Sequence, residues 1–175
     1  MKVGFLVARC VTGMPLSDPM GDPSRSNPAT LLSGAPRLAL PCSAVAPAQA
    51  RRWLRGLLHE GASVLPGTGA ESVGDGAELL LTEVVTNAVV HARTESLVTA
   101  QLETDRLWAV VKDWSPLLPV APAPAPVDPG LAAVPTSGRG LGLLEELASS
   151  WGWQRAGAGK VVWFALDYPC PPPGP

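Results

Sequence analysis

The 175-residue chain has no excess of positive charge and no long apolar run. Thirteen lysines and arginines stand against 15 aspartates and glutamates, which gives a net charge of −2 and an isoelectric point near 5.6. A basic surface for direct nucleic-acid binding is therefore not expected. No apolar stretch approaches the roughly 20 residues that a membrane-spanning helix needs, so we expect no membrane segment either.

Metal-ligating and disulfide-forming patterns are also missing. The three cysteines, Cys10, Cys42 and Cys170, are odd in number and far apart, and no C-x-x-C or Cys/His cluster occurs. Neither a disulfide framework nor a structural zinc site is supported. A reduced, cytoplasmic environment fits this cysteine usage best. The first residues imitate a short signal peptide, but Arg9 interrupts their apolar run, which argues against one.

Proline and glycine are plentiful, with 20 and 18 residues, and they divide the chain. Residues 1–36 are rich in proline, serine and glycine, which predicts a disordered or weakly ordered leader. A domain is predicted over 37–168, followed by a proline-rich tail over 169–175. Within the domain, residues 114–137 contain seven prolines, so they predict a stiff, extended loop that serves as a lid or an insert.

Apolar periodicity predicts a fold of the α+β class. We expect a two-layer sandwich, with a mostly antiparallel sheet and helices on one face. A loop is predicted over 61–76, with Asp75 as the N-cap of the next helix and Glu78 as its capping-box partner. The predicted strands are 37–40, 96–103, 107–112, 151–155 and 160–167, and the predicted helices are 43–60, 78–92 and 143–150.

The helix predicted over 78–92 carries a polar line on an otherwise apolar rod. Glu83, Asn87 and His91 recur at intervals of four residues, which places them on one helical face. Buried carboxylate, amide and imidazole groups are costly unless something pairs with them. Two interpretations stay open at this point: a core helix whose polar groups satisfy one another, or one wall of a site.

A second polar signal is the glycine-rich segment 138–142, which leads directly into the predicted helix 143–150. Glycines at a helix N-terminus let backbone N–H groups approach an anion, and the helix dipole favours negative charge there. The alternative is a simple glycine hinge. Asp113 adds a carboxylate where a predicted strand gives way to the loop.

These groups together suit a nucleoside triphosphate. Asp113 could accept a hydrogen bond from the adenine amine, and the Asn87 amide oxygen is an acceptable ligand for Mg²⁺. The glycine segment could hold phosphate with Arg139 adding charge, and Glu83 could act as a general base. The proline-rich loop would close over the site and exclude water.

Three motifs in this order resemble the nucleotide-binding boxes of the GHKL ATPase superfamily. They are E-x-x-x-N-A-x-x-H-A over 83–92, the strand-ending Asp113, and G-R-G-L-G-L over 138–143. Within the superfamily, their spacing and the final G-K-x-V-W-F strand over 159–164 resemble the bacterial anti-sigma-factor serine/threonine kinases. The resemblance extends over about 37–167 and implies the Bergerat-type ATP-binding fold.

The resemblance also implies roles. Glu83 would be the catalytic base, Asn87 the Mg²⁺ ligand, and Asp113 the group that recognises adenine, with Ser115 beside it in the nucleotide-binding set. His91 is expected to support the end of its helix rather than to contact ATP. The segment that would wrap the ATP phosphates comprises Gly138, Arg139, Gly140, Leu141 and Gly142. Proteins of this kind silence a sigma factor and phosphorylate a serine of an anti-anti-sigma (STAS-type) partner, and a homodimer is expected by resemblance.

Two departures from the family pattern support an alternative. Ser115 stands at the first position where the family has a glycine after the aspartate, and Pro119 lies where a turn is needed. The predicted lid is also rich in proline, and a protein with such a stiff, extended lid could bind ATP without efficient turnover. The alternative is therefore a non-catalytic, nucleotide-dependent regulator of protein interactions with a degenerate ATP site. A sensor histidine kinase is disfavoured, because no separate helix pair carries a phospho-accepting histidine.

Overall fold

The structure, a computed structural model, describes residues 32, 34–61, 70–103, 105–117 and 139–168. The predicted leader up to 31, most of the predicted lid (118–137) and the tail 169–175 lie outside the described residues. In chain order the elements are β1 (Arg37–Leu40), α1 (Ala46–Glu60), α2 (Ala70–Asn87), a π-helical segment (Ala88–Ala92), β2 (Ser96–Leu102), β3 (Arg106–Asp113), α3 (Arg139–Leu147), β4 (Ser150–Ala156) and β5 (Gly159–Asp167).

The strands form one antiparallel sheet in the order β1-β2-β3-β5-β4. Two of the four strand pairs, β2-β3 and β4-β5, are sequential hairpins, and β5 lies between β3 and β4. Asp113, the last residue of β3, pairs with Ser96 at the start of β2 and with Lys160 near the start of β5. Three polar residues therefore stand side by side at one end of the sheet.

The helices pack on one face of this sheet, which confirms the predicted α+β sandwich. Alternate residues of β3, Leu107, Ala109 and Val111, join the main apolar core. That core is closed from the other side by apolar residues of α1 and α2, among them Leu54, Leu80, Leu81 and Val85. Because side chains of a strand alternate between faces, Asp113 lies on the same face as Val111, the face that the helices cover.

The opposite face of the sheet carries a smaller apolar cluster. Val110, Val161 and Trp163 are buried there under Leu32, which is only 2% exposed. The rings of Trp108 and Trp163 lie 5.7 Å apart and inclined at 45°. Leu32, which lies within the predicted leader, thus packs on the sheet.

Helix α2 is longer at its start than the sequence predicted. It begins at Ala70, so the predicted loop is wrong over 70–76 and Asp75 is not an N-cap, whereas residues 62–69 lie outside the described ranges. Gly74 and Gly76 read as loop residues in the sequence, but both lie in the helix. A Cβ on Gly74 would lie 3.5 Å from Leu58 and one on Gly76 would lie 3.7 Å from Leu166, which are ordinary packing distances.

The end of α2 also departs from a regular helix. The last five residues of the predicted helix, Ala88–Ala92, have π-helical hydrogen bonding, and Arg93 ends the segment in the left-handed region with φ 53°. Thr82 and Thr86 each donate a hydroxyl hydrogen bond to the carbonyl four residues earlier, at 2.6 and 2.7 Å. Such side-chain hydrogen bonds compete with the regular backbone pattern, and both precede the change to π-helical geometry after Asn87.

The other elements differ from prediction mainly at their ends. Helix α1 begins at Ala46 instead of Ser43, because Pro47 favours the first helical turn. Helix α3 begins at Arg139, four residues before the predicted start, and Ser150 already belongs to β4. Each predicted strand is present to within a residue at either end.

Two further expectations can be compared with the described residues. The thiol of Cys42 is free and exposed, and the other two cysteines lie outside the described ranges. Among the helices that the structure describes, none has both the length and the apolar character needed to cross a bilayer.

Tyr168 is expected to make the stability of the fold depend on alkaline pH. It is the single tyrosine of the chain, its hydroxyl is buried with no hydrogen-bond partner in the described part of the chain, and burial raises its pKa to about 12. A raised folded-state pKa means that this contribution is complete below pH 10 and is lost as pH rises from 10 to 12. Absorbance at 295 nm should give an ionisation midpoint near pH 12 in the folded protein.

The matched variant is Tyr168→Phe, which removes an unpaired buried hydroxyl and keeps the ring. At pH 7 we expect this variant to unfold at the same temperature as wild type or a higher one. Its free energy of unfolding should be higher by up to about 1 kcal/mol. It should also lose part of the decline in stability between pH 10 and 12. A clear destabilisation at pH 7 would show that the hydroxyl has a partner.

Candidate functional site

The N-terminal turn of α3 packs directly against the polar face of α2. A Cβ built on Gly140 would lie 2.8 Å from Asn87 Nδ2 and 3.5 Å from Glu83 Oε2. The distance to Glu83 is an ordinary contact, whereas the distance to Asn87 is closer than real Cβ atoms approach, so a side chain at position 140 would require the Asn87 amide to move. The structure therefore brings together Glu83, Asn87 and Gly140, three residues that the sequence assigned to one site.

Glu83 and Asn87 face this contact from successive turns of α2 and are both half-buried. Asn87 is the last α-helical residue, immediately before the π-helical segment. Single turns of π-helix are frequently found at functional sites. His91, the third residue of the polar line, lies within the π-helical segment and is exposed.

The other predicted residues of the glycine segment have different positions. Leu141 packs against the main core, and Gly142 has open space around its Cα, since nothing would come within 4 Å of a Cβ there. Gly138 and the side chain of Arg139 lie outside the described residues. Residues 139–142 thus form the first turn of α3, whereas the sequence predicted that they precede the helix.

Asp113 is buried at the end of β3, and its carboxylate is held by three contacts. Lys160 Nζ lies 3.0 Å from Oδ1 and 2.9 Å from Oδ2, and the backbone N–H of Ser115 donates to Oδ1 at 2.9 Å. The side chains of Asp113 and Lys160 are only 5% and 10% exposed. A buried carboxylate is tolerated when it is paired and hydrogen-bonded in this way.

Ser115 stabilises the turn that follows Asp113. Besides donating its N–H to Asp113, it accepts a hydrogen bond on Oγ from the N–H of Leu117, at 3.2 Å. These are Asx- and Ser-type turns, in which short polar side chains replace backbone partners. Ser115 is buried beside Asp113, and its place in a nucleotide-binding set stays a prediction.

Lys160 and Ser96 are polar residues of this site that the sequence reasoning missed. Lys160 opens an apolar strand and was counted only as part of a motif, and Ser96 opens another strand. Both pair in register with Asp113. The Ser96 hydroxyl is buried and has no hydrogen-bond partner among the residues described. Both residues lie beside Asp113 because of the strand order β2-β3-β5, and apolar periodicity in the sequence does not predict that order.

Gly159, next to Lys160, is a position where backbone approaches backbone. A Cβ on Gly159 would collide with the carbonyl oxygen of Asp113 and with Cα of Trp114. The start of β5, just after the turn in which Gly157 adopts φ 64°, therefore lies directly against the end of β3. The close approach fixes the backbone on both sides of the ion pair.

Comparison with known proteins agrees with this arrangement. The profile of the histidine kinase-like ATPase domain matches residues 44–166, well over half of the chain. The chain belongs to the histidine kinase-like ATPase domain family. The match begins just before α1 and ends within β5, so it includes the contact between α2 and α3 and the Asp113–Lys160 pair. A search of curated proteins found no match.

A solved structure shares the fold of this family member. It is the crystal structure of the RsbU and RsbW domains of Rv1364c from Mycobacterium tuberculosis, with a TM-score of 0.53 and 21% sequence identity. The alignment covers 78% of this chain and 33% of that chain, so the present chain spans about a third of its length. This structural similarity supports the same fold independently of the sequence profile.

Replacing the two glycines of α3 should separate close packing from helix propensity. Gly142→Ala adds a methyl group in open space and is expected to stabilise the helix by about 0.5–1 kcal/mol. Gly140→Ala gains the same propensity, but it forces Asn87 to move. We expect Gly140→Ala to unfold at a lower temperature than Gly142→Ala in thermal denaturation followed by circular dichroism. Equal unfolding temperatures would contradict the close contact.

Proposed function

We propose that this chain binds Mg·ATP between α2 and α3 and acts as an anti-sigma-factor serine/threonine kinase. It would bind a sigma factor and phosphorylate a serine of an anti-anti-sigma partner. The observation that carries the proposal is the contact of Gly140 with Asn87 and Glu83, because the first turn of α3 there lies against a carboxylate and an amide. The family assignment and the RsbW-containing structural neighbour support it.

The residues present fit the nucleotide and its metal. The first turn of α3 offers unpaired backbone N–H groups and the positive end of a helix dipole, which suit phosphate. Asn87 supplies a neutral oxygen ligand for Mg²⁺, an ion that commonly takes few protein ligands together with phosphate oxygens. Within the described ranges, no three His, Cys, Asp or Glu side chains form a metal site by themselves.

The remaining roles concern the base and the proton. Asp113 is proposed to accept a hydrogen bond from the adenine amine, with Ser115 holding its carboxylate in place. Glu83, one turn before Asn87, is proposed to accept the proton of the serine hydroxyl that attacks. Bound Mg·ATP supplies the phosphoryl group and neutralises part of its charge.

The proposal also covers the partners of the protein, its location and its oligomeric state. The sigma factor and the STAS-type partner are expected to bind this chain in the cytoplasm, with no direct nucleic-acid contact, and the chain is proposed to form a homodimer. A sigma-factor or anti-anti-sigma gene beside the chain's own gene would identify the two proteins to use in these assays.

A specific observation favours a second candidate, a nucleotide-dependent interaction regulator without catalysis. The turn 113–117 is fixed by two hydrogen bonds through Ser115, at a position where the family has a glycine. A turn held in this way would restrict the movement of the segment that follows it. In that case ATP binding would persist without measurable transfer to any partner.

Asn87→Ala should weaken Mg·ATP binding at least tenfold, because it removes the proposed metal ligand while the α2 backbone is kept. Isothermal titration calorimetry with excess Mg²⁺ measures this directly. Gln101→Ala, which removes an amide from β2 on the opposite face of the sheet, is the control and should bind as wild type does. Absence of Mg²⁺-dependent ATP binding by wild type would refute the proposal.

Glu83→Gln should separate binding from chemistry. A general base contributes roughly 10²–10⁴-fold to rate, so phosphorylation of the partner serine should fall at least 100-fold. The dissociation constant for Mg·ATP should stay within about threefold of wild type.

The matched control for this variant is Glu145→Gln, on an exposed position of α3, which should keep wild-type activity in a radiolabelled phosphate-transfer assay. Transfer by Glu83→Gln at the wild-type rate would rule out Glu83 as the base. ATP binding by wild type without transfer to a cognate partner would favour the non-catalytic regulator.

A further inference from the structure

The proposed base-recognition carboxylate does not stand alone, because a buried ammonium group lies against it. Lys160 Nζ is within 3.0 Å of both oxygens of Asp113, and the two side chains are 10% and 5% exposed. Ser96 faces Asp113 from β2 with a buried hydroxyl that has no partner in the described part of the chain. Hydrogen-bonding capacity therefore remains at this end of the sheet.

Counting donors and acceptors shows what is left for a ligand. An ammonium group has three N–H donors, and its contacts with the two Asp113 oxygens use at most two of them, so at least one donor remains. A carboxylate has about four acceptor positions, and Ser115 and Lys160 occupy at most three of them. At least one free donor on Lys160 and one free acceptor on Asp113 therefore lie next to each other.

A ligand is not expected to displace Lys160 from Asp113. Breaking a buried ion pair leaves an uncompensated charge in the interior, which is strongly unfavourable. A bound base therefore meets the intact pair, and it meets a donor as well as an acceptor. A lone carboxylate would offer acceptors only.

We propose that the Asp113–Lys160 pair, rather than Asp113 alone, reads the six-membered ring edge of the base, so that the site holds 6-oxopurine triphosphates as well as ATP. This inference rests on the proposed nucleotide binding. The adenine edge presents a donor amine and the acceptor N1, whereas a 6-oxopurine presents the acceptor O6 and the donor N1–H. Asp113 accepts from the amine or from N1–H, and Lys160 donates to N1 or to O6.

The test compares ATP with inosine triphosphate, which differ only at this edge. With Mg²⁺ present, calorimetry on the full chain should give dissociation constants for the two nucleotides within about tenfold of each other. In Lys160→Met the donor is gone, and O6 meets a carboxylate without its counter-ion. The ratio of the inosine triphosphate constant to the ATP constant should then rise at least tenfold.

The ratio is measured within one protein preparation, so partial unfolding of a variant lowers the apparent affinity for both nucleotides equally. Lys112→Met is the matched control, because Lys112 lies on the opposite face of the sheet, 5.5 Å from the Trp114 ring centroid. It should keep the wild-type ratio.

Two results would overturn the inference while leaving the proposed function intact. One is wild-type protein that binds ATP but binds inosine triphosphate more than tenfold more weakly, a result that needs no variant. The other is a Lys160→Met ratio equal to that of wild type. Failure of wild type to bind ATP would overturn the proposed function and this inference together.

Discussion

The contact between the first turn of α3 and the polar face of α2 is the constraint on which the site depends. Because Gly140 has only a hydrogen atom as its side chain, the backbone of α3 packs directly against the Asn87 amide of α2. A side chain there would force the Asn87 amide out of its position beside the first turn of α3. The apolar residues of the two helices set the orientation, and this single glycine sets the distance.

A second constraint is electrostatic. Asp113 and Lys160 are both nearly removed from solvent, and each makes the burial of the other tolerable. Breaking such a pair by removing one partner typically costs about 3–5 kcal/mol, because a charge is left without compensation. That penalty is a large part of the stability of an ordinary domain. The end of the sheet is therefore specified by a charge pair, whereas the centre of the sheet is specified by apolar packing.

The sequence was sufficient for the class of fold, and three of the residues that it assigned to one site lie together in the structure. Apolar alternation located all five strands, and the glycine segment with Glu83 and Asn87 located the contact between the helices. The errors have physical reasons. Gly74 and Gly76 indicate a loop when local propensity is considered, but the core contacts of Val73 and Ala77 favour a helix there. Lys160 and Ser96 become neighbours of Asp113 only through the order of the strands, which is a tertiary property.

The close approach of Gly159 to the end of β3 has a consequence for how this protein can vary. The β4–β5 hairpin turn is short and exposed at Gly157 and Ala158, and such turns usually tolerate insertions and exchanges well. Here one side of the turn touches the backbone of Asp113 and Trp114. We therefore expect sequence variation in this hairpin to be confined to its tip. An affinity tag or a grafted epitope inserted at Gly159 instead would disturb the backbone around Asp113, more than 40 residues away in sequence.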